Sequence, residues 1–196
     1  MSCTVLQDSA DQSDPEATSY VLMYYYCISI WLHTRLNLTE TGYDRFTPEF
    51  RELIHHADLY VTAKAEQRPA FTFEVGAVPV LYFAASKCRV ASLRRKALDL
   101  LTKAPGKEFT FGARTTAELI RRLIGIEEVG LELPGMELNG HSASLPINDT
   151  LVPSEDARVH NLELLKNNIT NRHEVRITTY SESNGRLFRH TDDVPL

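Results

Sequence analysis

Apolar residues recur at helical spacing through the first two thirds of the chain, then switch to a period of two near its end. Asp14-Pro15-Glu16 is a helix start, because Asp14 can cap free backbone N–H groups and proline suits the first helical position. The helix it opens runs from about Pro15 to Arg35. It is apolar nearly all round, which predicts a central place, with Tyr24, Tyr25, Tyr26 and Trp31 in the core. Thr47-Pro48-Glu49 repeats the signal. The second helix places Phe50, Leu53, Ile54, Ala57 and Val61 on one face and ends before Pro69. Gly76 to Pro79 breaks the chain, and Pro79 opens a third helix that runs through Cys88. A fourth, from about Ser92 to Lys103, buries Leu93, Ala97, Leu100 and Leu101, and Pro105-Gly106 closes it. Within this region Leu81, Tyr82, Phe83 and Leu100 are expected to be buried and Arg94 and Arg95 exposed.

Thr115 and Glu118 have the spacing of a capping box and open a helix that buries Ile120, Leu123 and Ile124. Residues 129–153 are Gly/Pro-rich and read as a mobile loop. Ser154-Glu155-Asp156 then starts a last helix carrying Val159, Leu162, Leu165 and Ile169. The tail alternates: Val175, Ile177 and Thr179 against Arg176, Thr178 and Tyr180. Asn184-Gly185 follows, the residue pair that best tolerates the positive φ of a two-residue hairpin, and Arg186-Leu187-Phe188-Arg189 supplies the return strand. The fold class is therefore mostly α, an irregular multi-helix domain with a small C-terminal β-hairpin. Residues 1–13 form a disordered lead, 14–128 the helical domain, and 154–196 a helix plus hairpin of the same domain.

Composition narrows the class. The chain has 196 residues, 43% hydrophobic, which suits one domain with a sizeable core. Its net charge of −5 is unlike that of a free-standing nucleic-acid module, whose affinity comes from phosphate contacts. The three cysteines, Cys3, Cys27 and Cys88, are odd in number and far apart, so a disulfide framework is not expected. The N-terminus lacks the basic-then-apolar pattern of a signal peptide. The apolar run Tyr20–Leu32 is too short for a membrane span, which needs about 20 residues.

Candidate chemistry is sparse. His55 and His56 are adjacent and point about 100° apart on a helix, whereas ligands sharing an ion sit four apart. Cys27 and Cys88 lie in apolar context, which favours packing over reactivity. There is no Gly-rich phosphate loop, nucleophile elbow or dinucleotide fingerprint. No catalytic, metal or cofactor-binding residue is assigned, and no cofactor is expected.

The concentrated signal is Phe71–Leu101, FTFEVGAVPVLYFAASKCRVASLRRKALDLL, an apolar stretch that turns abruptly basic. Its Gly76, Pro79, Leu81, Tyr82, Phe83, Lys87, Cys88, Arg89, Arg94 and Arg95 resemble a run in the regulatory domain of fungal zinc-binuclear-cluster transcription factors. There, Gly-x-x-Pro-x-Leu-Tyr-Phe leads into Lys-Cys-Arg and then Arg-Arg. Two departures stand out. Val90-Ala91 replaces the family's Asp-Pro, and Lys107 to Gly112 replaces an Arg-Glu-Gly-Leu-Trp-like segment. A binuclear zinc cluster needs six thiolates, so three cysteines cannot supply the family's DNA reader.

The resemblance implies a nuclear (alternatively cytoplasmic), non-enzymatic regulator acting through protein or effector contacts on genes that include those of metabolic pathways. Its partner would be a protein, including a full-length transcription factor, with neither direct nucleic-acid binding nor a membrane. Lys87, Arg89, Arg94, Arg95 and Lys96 form a candidate partner surface, against which stands the simpler reading of a solvated charged face. The rival readings are a small helical ligand-binding protein or enzyme, and a truncated gene fragment.

Overall fold

The computed structural model describes residues 14–65, 71–104, 106–129, 131, 149–166, 173–183 and 186–195. Five α-helices build the body: α1 (Pro15–Thr34), α2 (Thr47–Ala63), α3 (Val78–Lys87), α4 (Ala91–Lys103) and α5 (Ala113–Glu127). A 3-10 helix, Glu40–Phe46, joins α1 to α2. A two-residue ribbon, β1 (Lys107–Glu108) with β2 (Phe111–Gly112), feeds α5, and a short 3-10 turn spans Glu155–Ala157. The chain ends in an antiparallel sheet of β3 (Val159–Lys166), β4 (His173–Ser183) and β5 (Arg186–Pro195), in that order. The fold is mostly helical with a small C-terminal sheet, as the periodicity predicts. No helix among the described residues is long and apolar enough to cross a membrane.

α1 starts where expected: the Asp14 carboxylate accepts the Glu16 N–H at 3.0 Å. One face of α2 buries Phe50, Leu53, Ile54, Ala57 and Val61, which pack with Val80, Leu81 and Ala84 of α3, Ala97, Leu100 and Leu101 of α4, and Ile120 and Leu123 of α5. Leu81 and Leu100 are fully buried, but Tyr82, Phe83, Leu93 and Ile124 are only half-buried at the rim of that core. Between α4 and α5, Phe109 takes a left-handed backbone, φ 50°, in the turn of the ribbon.

Several expectations need correction. The helix after Ser154 is a strand: β3 pairs with β4 from Val159↔Thr179 to Lys166↔His173. A register shift between Val159 and Asn161 inserts one residue. Such a bulge moves apolar positions from alternation to a spacing of three, so Val159 and Leu162 share a face while imitating a helical period. Ile169 lies outside the described residues. Cys88 is not helical but opens the extended corner between α3 and α4. The capping box does not form. α5 opens at Ala113, with Gly112 in the cap position and no side-chain bond there. The ribbon delivers the chain to its cap three residues early, at Gly112 rather than Thr115, and Glu118 pairs with Arg121 instead. α1 is not central: Met23 and Ile30 are buried, but Tyr25 and Trp31 are exposed and Tyr24 and Tyr26 half-buried.

The β4–β5 pairing reaches Ser183↔Arg186, which leaves two residues for the turn. Asn184 and Gly185 themselves, the lead of residues 1–13 and most of the Gly/Pro-rich loop lie outside the described residues.

Candidate functional site

The basic run occupies the corner from α3 to α4, and its residues part company there. Lys87 closes α3, Cys88 and Val90 are extended, and Arg94 and Arg95 follow one turn into α4. Two acidic residues from distant elements meet it. Glu127 ends α5, and Glu40 begins the 3-10 helix.

The Glu127 carboxylate accepts two bonds from Arg89 (Nη2 at 2.9 Å, Nε at 3.3 Å), one from Arg94, and the Val159 N–H at 2.7 Å. Glu40 accepts Lys87 Nζ at 2.6 Å and Arg89 Nη1 at 2.8 Å. Arg89 also donates to the carbonyls of Lys87 and Val159, so every N–H of its guanidinium has an acceptor. Arg94 Nε reaches the Ala85 carbonyl at 2.9 Å. Arg94 Nη1 has no hydrogen bond and lies 3.6 Å from Glu128.

Burial decides how this cluster is read. Arg94 is 0% exposed, Arg89 2%, and Glu127 1%. A partner surface made of all five residues is therefore corrected. Arg89 and Arg94 are interior charges, and Lys87 is largely covered by Glu40 and the carbonyl of His160. Only Arg95 and Lys96 retain substantial exposure, and each is paired, with Glu128 at 2.6 Å and Asp58 at 2.9 Å. Three cations cannot enter a low-dielectric interior unmatched, so the fold places acids on them. Burial pushes the Glu127 carboxyl up, but Arg89 and Arg94 outweigh it and hold it below the ordinary value. Burial dominates at Lys87, whose ammonium is held below its usual range despite Glu40.

A second ionic clamp ties the sheet to the helices. Arg158, 1% exposed, grips Asp44 through two bonds of 2.7 Å and donates to the carbonyls of Glu40 and Pro153. Glu155 accepts the N–H groups of Glu40 and Thr41, at 2.8 and 2.7 Å. Sequence reading misses Glu40, Glu127 and Arg158. The local trace of the two glutamates is their place at helix ends, Arg158 leaves none, and nothing local says which partner each will meet.

Beside Lys87 lies a cleft of about 230 Å³ lined by Trp31, Tyr43, Tyr82, Phe83, Lys87 and His160 among others. It is smaller than the roughly 300–1,000 Å³ of ligand sites. Its cation is engaged by Glu40, by the His160 carbonyl and by the Tyr43 ring, 5.3 Å away. His160 is held between the carbonyl of Arg158 and Glu155. His56 stacks on Tyr26 rather than joining His55 around a common point. Among the described residues no three His, Cys, Asp or Glu side chains are placed to hold a metal ion. Burial pushes the thiols of Cys27 and Cys88 up to about 11, so both stay protonated at neutral pH.

One apolar surface feature among the described residues is the outer face of α1. Val21, Tyr25, Ile28, Trp31 and Leu32 are each 49–62% exposed. No charged residue interrupts α1 between Glu16 and His33. Soluble surfaces rarely gather large apolar side chains in this way unless something binds them. No family model, curated protein or solved structure matches this chain.

Proposed function

We propose that this chain is a non-enzymatic, transcription-regulator-like protein that acts through protein contacts and lacks a DNA reader of its own, with the nucleus as its place of action and the cytoplasm as the alternative. The observation that carries the reading is the α1 face: an apolar contact surface on a body whose buried charges are matched to one another. The basic corner serves as the frame holding α3, α4, α5 and the sheet in position, and contact with a partner is assigned to α1 instead.

The resemblance of Gly76 to Arg95 to the regulatory domain of fungal zinc-binuclear-cluster factors supports the same reading, while Lys107 to Gly112 departs from that family. Phe109 holds a left-handed φ where the family's Arg-Glu-Gly-Leu-Trp-like segment carries glycine, the residue suited to that backbone. Glu108, within Lys107 to Gly112, has a structural task, because its carboxylate accepts the N–H groups of Gly76, Ala77 and Val78 at the start of α3.

Tethering tests the proposal. Fused to an unrelated DNA-binding module at a reporter promoter, the chain should change transcription several-fold. The change should disappear when Tyr25 and Ile28 are both replaced by Glu, which leaves the core untouched. A folded fusion with no effect on the reporter would remove the regulatory reading.

A further inference from the structure

The exposed centre line of α1 is Asp14, Thr18, Val21, Tyr25, Ile28, Leu32 and Arg35, spaced alternately four and three apart. That is the period of a helix seam that packs against another helix. In a globular surface helix such a seam faces the core. Here it faces outward, while Met23 and Ile30 hold the opposite side.

The ends of the seam are oppositely charged: Asp14 at the N-terminal cap and Arg35 at the C-terminal one. A second copy laid antiparallel would set Asp14 against Arg35 at both ends. Val21 would then face Ile28, Thr18 would face Leu32, and the two Tyr25 rings would meet at the two-fold axis. A parallel partner would instead bring like charges together. Antiparallel helices also oppose their dipoles favourably.

We propose that the chain forms a two-fold antiparallel dimer through α1, which specifies the partner within the regulatory reading above as a second copy of the same chain. The area is sufficient. The five apolar residues of the face present on the order of 100 Å² each, and Leu36 and Leu38, exposed just beyond the C-terminal cap of α1, add comparable area if the partner reaches past that end. Together they approach the roughly 800 Å² per partner of a standard interface. Residues 1–13 are a poor alternative cover, since their only large apolar residues are Met1, Val5 and Leu6.

The test is analytical ultracentrifugation of the full chain over a concentration series, with far-UV circular dichroism to confirm folding. The parent should sediment as a dimer, and Tyr25→Glu should give a folded monomer. Asp14→Asn keeps the helix cap but removes the charge. It and Arg35→Gln should each weaken the dimer about three- to ten-fold, because each removes two surface pairs. The double variant should be no weaker than either single one.

A parent that remains monomeric up to about 100 µM, well above the micromolar limit usual for interfaces of this area, overturns the dimer. So does a Tyr25→Glu chain that still dimerises, which would place the interface elsewhere. Fully additive losses at Asp14 and Arg35 overturn the antiparallel register. A dimer that fails to act in the tethering assay would reject the regulatory reading and leave the dimer standing, so the two failures are distinguishable.

Discussion

Glu127 receives two guanidinium groups and a backbone N–H, and its loss leaves Arg94 with the Ala85 carbonyl as its one hydrogen-bond acceptor among the described residues, while Arg89 keeps Glu40. Glu127→Gln should therefore destabilise the protein by about 3–5 kcal/mol at neutral pH, the range for stranding a buried charge. The sign of its pH dependence follows from its lowered carboxyl pKa. Its stabilisation is complete above the ordinary value of 4.5 and is lost as pH falls through the lower folded value. Glu108 acts in the opposite sense. Burial raises its carboxyl despite three N–H bonds, so its ionised form weighs against folding until pH falls through that raised value. The gap between parent and Glu127→Gln in denaturant titrations should close below about pH 4.5. A gap that stays constant from neutral to acid would show that Glu127 does not carry the acid limb. At this scale the sequence is least legible. Glu40 lies 47 residues before Lys87 and Glu127 lies 38 after Arg89, so no local pattern announces that the basic run is neutralised inside the fold.

Helix α3 depends on a residue that is not part of it. It begins at Val78 with Ala77 as its cap position, and no side chain caps it locally. Glu108, from β1, supplies the missing acceptor, while Tyr20 and Tyr24 of α1 take the carbonyls of Val75 and Gly76. Glu108→Ala should cost about 2–4 kcal/mol, since it leaves buried N–H groups unpaired. Gly76→Ala should weaken the same joint, because a Cβ there would lie 2.6 Å from a Glu108 oxygen. A loss under about 0.5 kcal/mol for Glu108→Ala in thermal or urea unfolding would remove this role. The helices themselves were readable because proline, capping residues and three-and-four spacing coincide at their starts. β3 was misread because its bulge sets the apolar Val159 and Leu162 three positions apart, a spacing that a helix also gives. The exposed face of α1 was misread for a related reason: an all-round apolar helix is equally what a buried helix and an interface helix require.

At the scale of the molecule, the helical body and the C-terminal hairpin were legible, and the third strand and the junction were not. That junction is polar, built from Arg158 with Asp44, Glu155 with the backbone at Glu40 and Thr41, and Glu127 with Val159. Asp149 adds a further tie, accepting the N–H and hydroxyl of Ser92 at the start of α4, at 2.7 and 2.6 Å. Every one of these bonds joins a residue before position 130 to one after position 148. These bonds are expected to keep the sheet in place without covalent continuity across that interval. Expressed together as separate polypeptides, residues 1–131 and 149–196 should reassemble and co-purify as a two-piece protein. Replacing Arg158 by Met should release the smaller piece. Two fragments that never associate, though both are soluble, would show that the connecting chain holds the sheet rather than the clamp. If they do associate, this protein can be opened between residues 131 and 149 and rejoined at will, and its sheet becomes a detachable part.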